Sequence, residues 1–281
     1  MARKPYPSFE KVEITDFGAE GNAIARVNDM VVFVKFVAPG DIVDLQVFKK
    51  RKRYMEARVT AFHHYSLNRA KPFCEHFGVC GGCKWQHIPY DQQVKFKEKQ
   101  VSDALIRIGK LDLPPILPIL KSPDETFYRN KLEFTFSNHR WFTREELDSG
   151  KSFDDTRALG FHVPGMFDKI VDIETCWLQP EPSNTIRNLI RDYARENSLT
   201  FYDQKEQSGL LRNLIIRTTS TGETMVILSF FSENKPDRTK LLDYLNSKVP
   251  GINSLMYVIN SKGNDTLYDQ DIILHRGKDY I

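Results

Sequence analysis

Only four cysteines occur in 281 residues, too few for the disulfide-dense scaffold of a small secreted domain. No run of about 18 apolar residues is present, so no segment reads as a membrane-spanning helix. The opening Met-Ala-Arg-Lys-Pro-Tyr-Pro has no apolar stretch and does not read as a secretory leader. A glycine-rich turn between a strand pattern and a helix pattern, the usual seat of a nucleotide cofactor, is missing as well. Internal repeats and low-complexity tracts are absent. What remains is the make-up of a globular protein, 41% hydrophobic and 27% charged, long enough for two cores.

The formal charge of +3 is unevenly spread. Residues 1–110 carry 19 Lys and Arg against 12 Asp and Glu, a net of +7. The remainder carries 21 against 25, a net of −4. A basic front half points to a polyanionic partner, and nucleic acid is the expected one.

Three of the four cysteines fall in Cys74-Glu-His-Phe-Gly-Val-Cys80-Gly-Gly-Cys83-Lys-Trp-Gln-His87, and the fourth is Cys176. Thiolates are soft ligands for iron–sulfur clusters, zinc or copper(I). Three neighbours plus one remote thiolate is the ligand arrangement of an iron–sulfur protein. Structural zinc more often takes two paired clips, and the second clip is missing here. Gly81 and Gly82 remove bulk between two ligands, so that peptide N–H groups can turn toward sulfur. The pattern predicts a [4Fe–4S] cluster on Cys74, Cys80, Cys83 and Cys176, with zinc as the rival and four buried thiols as the plain alternative. Cysteines committed to such a site imply a reducing, cytoplasmic setting.

The chain begins with a β pattern. Val12 and Ile14 alternate with charged neighbours. Strand patterns at 23–27, 30–37, 42–48 and 54–62 follow, separated by Asn28-Asp29, Pro39-Gly40 and a charged turn. Five short strands in about fifty residues predict a small antiparallel barrel of the oligonucleotide-binding kind over residues 1–63. Between the last two strands stand Lys49, Lys50, Arg51, Lys52 and Arg53, expected to contact RNA rather than serve only as a solvated loop. Residues 64–112 are expected to hold the cysteine loop and an amphipathic helix. That helix starts at Asp91, has Val94, Val101, Leu105 and Ile108 on one face, and ends at Gly109. The proline-rich 113–118 reads as extended, and residues 113–281 as an α+β domain with an antiparallel sheet.

The order of these parts resembles the SAM-dependent 23S rRNA (uracil-5-)-methyltransferases: a basic barrel, C-x5-C-G-G-C, Tyr128-Arg129-Asn130-Lys131, then a distant lone cysteine. The resemblance implies that the barrel is a TRAM domain and that the four cysteines are cluster ligands. Gly160-Phe161 and Ile170-Val171-Asp172, leading to Cys176, are similar to the family's central domain. Residues 164–169 read Pro-Gly-Met-Phe-Asp-Lys, where relatives often carry a Ser-His pair. Enzymes of this kind add a cysteine thiolate to C6 of uracil, so that C5 can attack the methyl of S-adenosylmethionine. With every cysteine assigned to the cluster and no cofactor turn in sight, the expectation is a portion lacking the Rossmann-like catalytic domain, where S-adenosylmethionine would bind, and inactive by itself. The expected partner is RNA, 23S rRNA in particular, held by a monomer. Arg129 and Lys131 are further RNA candidates, with a surface ion pair as the other reading. Trp85, Trp141 and Phe142 either stack on bases or fill the core. The rival from another class is a non-enzymatic RNA-binding module with a structural zinc held by the four cysteines. A radical-SAM methylthiotransferase is excluded, because the spacing is C-x5-C-x2-C and not C-x3-C-x2-C.

Overall fold

Strands with alternating apolar residues bury one common face by curling into a ring in the computed structural model, which describes residues 5–281. Met1–Lys4, part of the segment read above as lacking a leader, lie outside the described residues. Strands β1 (Ser8–Phe17), β2 (Ala23–Val27), β3 (Met30–Val34), β4 (Ile42–Lys50) and β5 (Tyr54–His64) close in the order β1-β2-β3-β5-β4. Val12, Ile14, Ala25, Val32, Val34, Val43, Leu45, Val47 and Met55 fill the interior. Asn28 and Asp29 take positive φ, 50° and 62°, as the tight β2–β3 turn requires. The barrel is not wholly antiparallel, however. β3 and β5 run parallel, because a ring of five strands cannot alternate direction all the way round.

The chain after the barrel is pinned to it by Asp41. Its fully buried carboxylate accepts the N–H of Ala38 at 2.6 Å and of Ser66 at 2.8 Å, and an Arg69 guanidinium N–H at 2.6 Å. Helix α1 (Tyr90–Ser102) follows, then a π-helical turn, Asp103–Ile108. Asp91 lies in the first turn and pairs with Lys121, while the N-cap position belongs to Pro89. Of the expected apolar face only Val94 is buried. Val101 and Ile108 are 53% and 81% exposed. The wider π turn rotates Leu105 and Ile108 off the stripe that a regular helix would maintain, while Val101 is exposed within the regular helix itself.

A seven-stranded sheet forms the other half, in the order β12-β11-β10-β9-β6-β7-β8. Its strands are β6 (Lys131–Ser137), β7 (Ala158–His162), β8 (Ile170–Asp172), β9 (Leu211–Thr218), β10 (Thr224–Phe230), β11 (Ser254–Ile259) and β12 (Ile273–Gly277). The expectation of an antiparallel sheet is corrected here: β10 and β11 are parallel. Reversal by a tight turn is replaced by a helical crossover that returns the chain to the same end. The crossover and its neighbours add three helices, α2 (Arg144–Asp148), α3 (Ser183–Glu196) and α4 (Lys235–Lys248). Ile186, Ile190 and Ala194 of α3 and Leu241, Leu242 and Leu245 of α4 are buried, and Tyr193 stacks near Tyr244 at 4.5 Å.

The chain separates into two compact units. One is Met1–Gly78 with Cys83–Pro123, and the other is Val79–Gly82 with Asp124–Ile281. The cysteine loop is therefore shared between them.

Candidate metal centre and nucleic-acid surface

Within the first unit, Cys74 is held by its peptide N–H, which donates to Gln86 Oε1 at 3.2 Å. Burial pushes its thiol pKa up and Cys83 nearby adds to that, while the N–H groups of His76 and Phe77 oppose it. Behind it Phe77 packs edge-on against Phe36 at 5.6 Å and near His87 at 5.4 Å. His87 is 2% exposed and bonds Val37 O through Nε2 at 3.1 Å, and burial lowers its pKa, favouring the neutral ring. Trp85 takes the core role of its two readings. Its indole N–H donates to Gly21 O at 3.2 Å and its ring lies 4.9 Å from Phe17.

In the second unit, Val79–Gly82 lies along β7. Gly81 N–H donates to His162 O at 3.0 Å, and a Cβ on Gly81 would come within 2.6 Å of that oxygen. Gly81 is thus required by a close backbone approach, while it is Gly82 whose N–H points at sulfur, 3.4 Å from Cys80 Sγ.

Cys176 is buried beyond the end of β8. Asn184 brackets its main chain: Oδ1 accepts the Cys176 N–H at 2.8 Å and Nδ2 donates to Cys176 O at 3.2 Å. Arg187, fully buried, donates to Ile173 O at 3.0 Å, Glu174 O at 2.6 Å and Asn184 Oδ1 at 2.9 Å. Burial lowers its pKa to about 10, which leaves the guanidinium charged at neutral pH. Arg191 bonds Glu174 at 3.0 Å and Arg195 bonds Asp172 at 2.9 Å. Residues 187, 191 and 195 are spaced by four, so one stripe of α3 carries three guanidiniums that anchor the segment leading to Cys176. Apolar periodicity reveals only the other stripe of this helix. The Arg-x3-Arg-x3-Arg spacing is the signal that marks the basic one.

The four sulfurs have the donor chemistry of an iron–sulfur site, and peptide N–H groups are aimed at those of Cys74 and Cys80. The first unit carries Cys74 and Cys83, the second Cys80 and Cys176. Among the described residues, no three His, Cys, Asp or Glu side chains stand as a group that could hold a metal ion. The four thiols fit the group in donor chemistry alone.

The basic run falls on the end of β4 and the turn into β5. Lys49 is committed to Glu56 across the strand pair at 2.6 Å, which raises its pKa. Lys50, Arg51, Lys52 and Arg53 lie at the end of β4 and in the turn beyond it, all four exposed. Arg129 is exposed, its peptide N–H bonded to Leu178 O at 2.8 Å, and Lys131 is exposed beside Glu133 at 3.5 Å. Phe142 lies 4.5 Å from Phe153 and 4.9 Å beneath Arg140. No helix among the described residues is long and apolar enough to cross a membrane.

The TRAM domain family matches residues 9–60, which are the barrel. Proteins named uncharacterized RNA methyltransferase are similar along nearly the whole chain. One from Bacteroides thetaiotaomicron is 53% identical over 94% of this chain and 59% of its own length. One from Porphyromonas gingivalis is 50% identical over 96% and 59%. The crystal structure of Pyrococcus abyssi tRNA (uracil-54, C5)-methyltransferase with S-adenosyl-L-homocysteine matches with a TM-score of 0.63 at 23% identity, over 96% of this chain and 56% of that one. At that identity the likeness is one of fold. The chain thus spans a little over half the length of the relatives it matches. The expectation of an inactive portion defined by a missing catalytic domain does not stand. The likeness to methyltransferases runs through 94–96% of the chain, and the position of Ile281 decides nothing about activity. Nor does any of these names specify ribosomal RNA. Residue for residue, nearly all of this chain is similar to proteins named RNA methyltransferases, and it opens with a TRAM domain.

Proposed function

We propose that this protein serves the methylation of uracil C5 in RNA, with S-adenosylmethionine as methyl donor and its barrel as an RNA-holding part. The single observation that carries the reading is the 53% identity with a protein named RNA methyltransferase along 94% of the chain. In this reading Lys50, Arg51, Lys52 and Arg53, with Arg129 and Lys131, meet the RNA backbone, while Lys49 of the same run is engaged by Glu56. Cys74, Cys80, Cys83 and Cys176 hold a [4Fe–4S] cluster. Methyl transfer from a sulfonium moves no net electron, so the cluster's part is structural: it supplies four metal–sulfur bonds that fix the cysteine loop. The thiolates call for a reducing compartment, the cytoplasm.

The substrate proposed is 23S rRNA, which is what the resemblance of the chain's parts to the 23S rRNA (uracil-5-)-methyltransferases implies. Transfer RNA is the second reading, supported by the fold shared with the Pyrococcus abyssi enzyme. The full-length protein, supplied with labelled S-adenosylmethionine, is offered both RNAs from a strain lacking uridine C5 methylation, and nucleosides are separated by mass spectrometry. 5-Methyluridine in the 23S pool supports the first reading, and in the tRNA pool the second. Its absence from both overturns the function. Anaerobically purified protein should be brown, with about four irons and four sulfides. A colourless protein with one zinc would replace the cluster by the zinc alternative.

A further inference from the structure

The barrel carries large aromatic side chains on its outside, where its own core has no use for them. Along β3, Val32 and Val34 point inward, which turns Phe33 outward. Along β4, Leu45 and Val47 point inward, the register slips between Val47 and Lys49, and Phe48 is 51% exposed. Phe48 faces out by the strand's own alternation, and the slip leaves it without a partner on β5. Along β5, Met55 and Ala57 are buried, and Tyr54 and Arg58 face out. Because β5 lies between β3 and β4, these side chains share one surface. Phe33 and Tyr54 meet edge to face at 5.6 Å.

That surface is a groove of about 640 Å³, floored by Phe33, Phe48, Tyr54 and Phe62. Lys35 and Arg58 add positive charge to its walls. Two carboxylates, Glu20 and Glu56, also line it, and Glu56 is neutralised by Lys49 at 2.6 Å. The Lys50–Arg53 run leaves β4 directly after this stretch.

We propose that this groove is a stacking site for unpaired RNA bases, with Phe48 and Tyr54 as the platforms and Lys50–Arg53 following the adjoining phosphates. The proposal rests on the RNA-binding reading above and moves the barrel's principal contact from the basic turn to the aromatic face beside it. Aromatic rings exposed next to cations suit single strands, whose bases present a π-face that a duplex hides. The two carboxylates disfavour a groove that works by charge alone.

Fluorescence anisotropy of the full chain with labelled oligouridylate and with a blunt RNA duplex of equal length tests this. The single strand should bind more tightly than the duplex. Phe48→Ala should weaken single-strand binding roughly ten-fold, and duplex binding much less. In Phe48→Trp, the added indole emission should be quenched by oligouridylate over the concentration range in which it binds. Equal affinity of Phe48→Ala and the parent for oligouridylate would overturn the proposal, as would a parent that does not bind it. So would loss of self-association in Phe48→Ala with RNA affinity intact, which would make the groove a contact between copies. The methylation reading fails separately. Absence of 5-methyluridine with Phe48-dependent stacking leaves the groove standing, and methylation with Phe48-independent binding removes the groove alone.

Discussion

Asn184 closes both sides of the Cys176 peptide, accepting its N–H at 2.8 Å and donating to its carbonyl at 3.2 Å, and itself accepts from Arg187 at 2.9 Å. A side chain eight residues ahead on α3 thereby sets the backbone of a thiol-bearing residue that no regular element contains. Asn184→Ala leaves a buried peptide N–H and a guanidinium without that acceptor, at a cost of about 1–3 kcal/mol. Urea denaturation should show the loss, and under the proposed cluster iron content per chain should fall with it. A variant as stable as the parent would mean that the bracket contributes nothing.

The carboxylate of Asp41 gathers two peptide N–H groups and Arg69 at 2.6–2.8 Å with no exposure to solvent. Removing it strands a largely buried guanidinium and two donors at the barrel's exit. Asp41→Ala should lower stability by about 3–5 kcal/mol, read as a shift of the barrel's unfolding midpoint. Arg69→Ala in the same background should then add little, since the partner is already gone.

Acid stability has a named contributor. Asp203 accepts the N–H groups of Glu206 at 3.0 Å and Lys205 at 2.9 Å, with Asn138 and His139 on its other oxygen. Those bonds, the Glu206 N–H foremost, hold its pKa at about 2 against an ordinary 3.8. A depressed carboxylate stabilises fully above its unfolded pKa and loses that contribution as pH falls through the folded one. About 2 kcal/mol should therefore disappear between roughly pH 4 and pH 2. Asp203→Asn should be flat across that window while remaining less stable at neutral pH. An Asp203→Asn titration that follows the parent's would assign the loss elsewhere.

Replacing Lys50, Arg51, Lys52 and Arg53 together by Gln tests their pairing with phosphates. For single-stranded RNA, the slope of log affinity against log salt should flatten by about 0.7 for each phosphate that is no longer neutralised. Affinity should fall most at low salt, with circular dichroism unchanged because these side chains lie at the surface. An unaltered slope would place the phosphates elsewhere on the barrel.

Much of the molecule is legible locally. The strand pattern read at 23–27 coincides with β2, because a short run bounded by turn residues admits few registers. The short helix α2 is not visible in the periodicity, although Thr143 and Glu146 form a capping box, because its five residues bury nothing. Strand β12 is hidden for a similar reason: Ile273 and Leu274 are 43% and 42% exposed and show no burial period.

By itself the amino-acid order determined the run of five short strands, the clustering of three cysteines and the isolation of the fourth, since periodicity and spacing are properties of neighbours. Only tertiary structure decided the parallel pairing of β10 with β11, the Asn184 bracket and arginine stripe around Cys176, and the commitment of Lys49 to Glu56. It also decided that Phe48 is the residue left unpaired where the register of β4 against β5 slips. Each of these depends on which distant segment supplies the partner. That choice is made by closing the ring and the sheet, and no window of adjacent residues contains it.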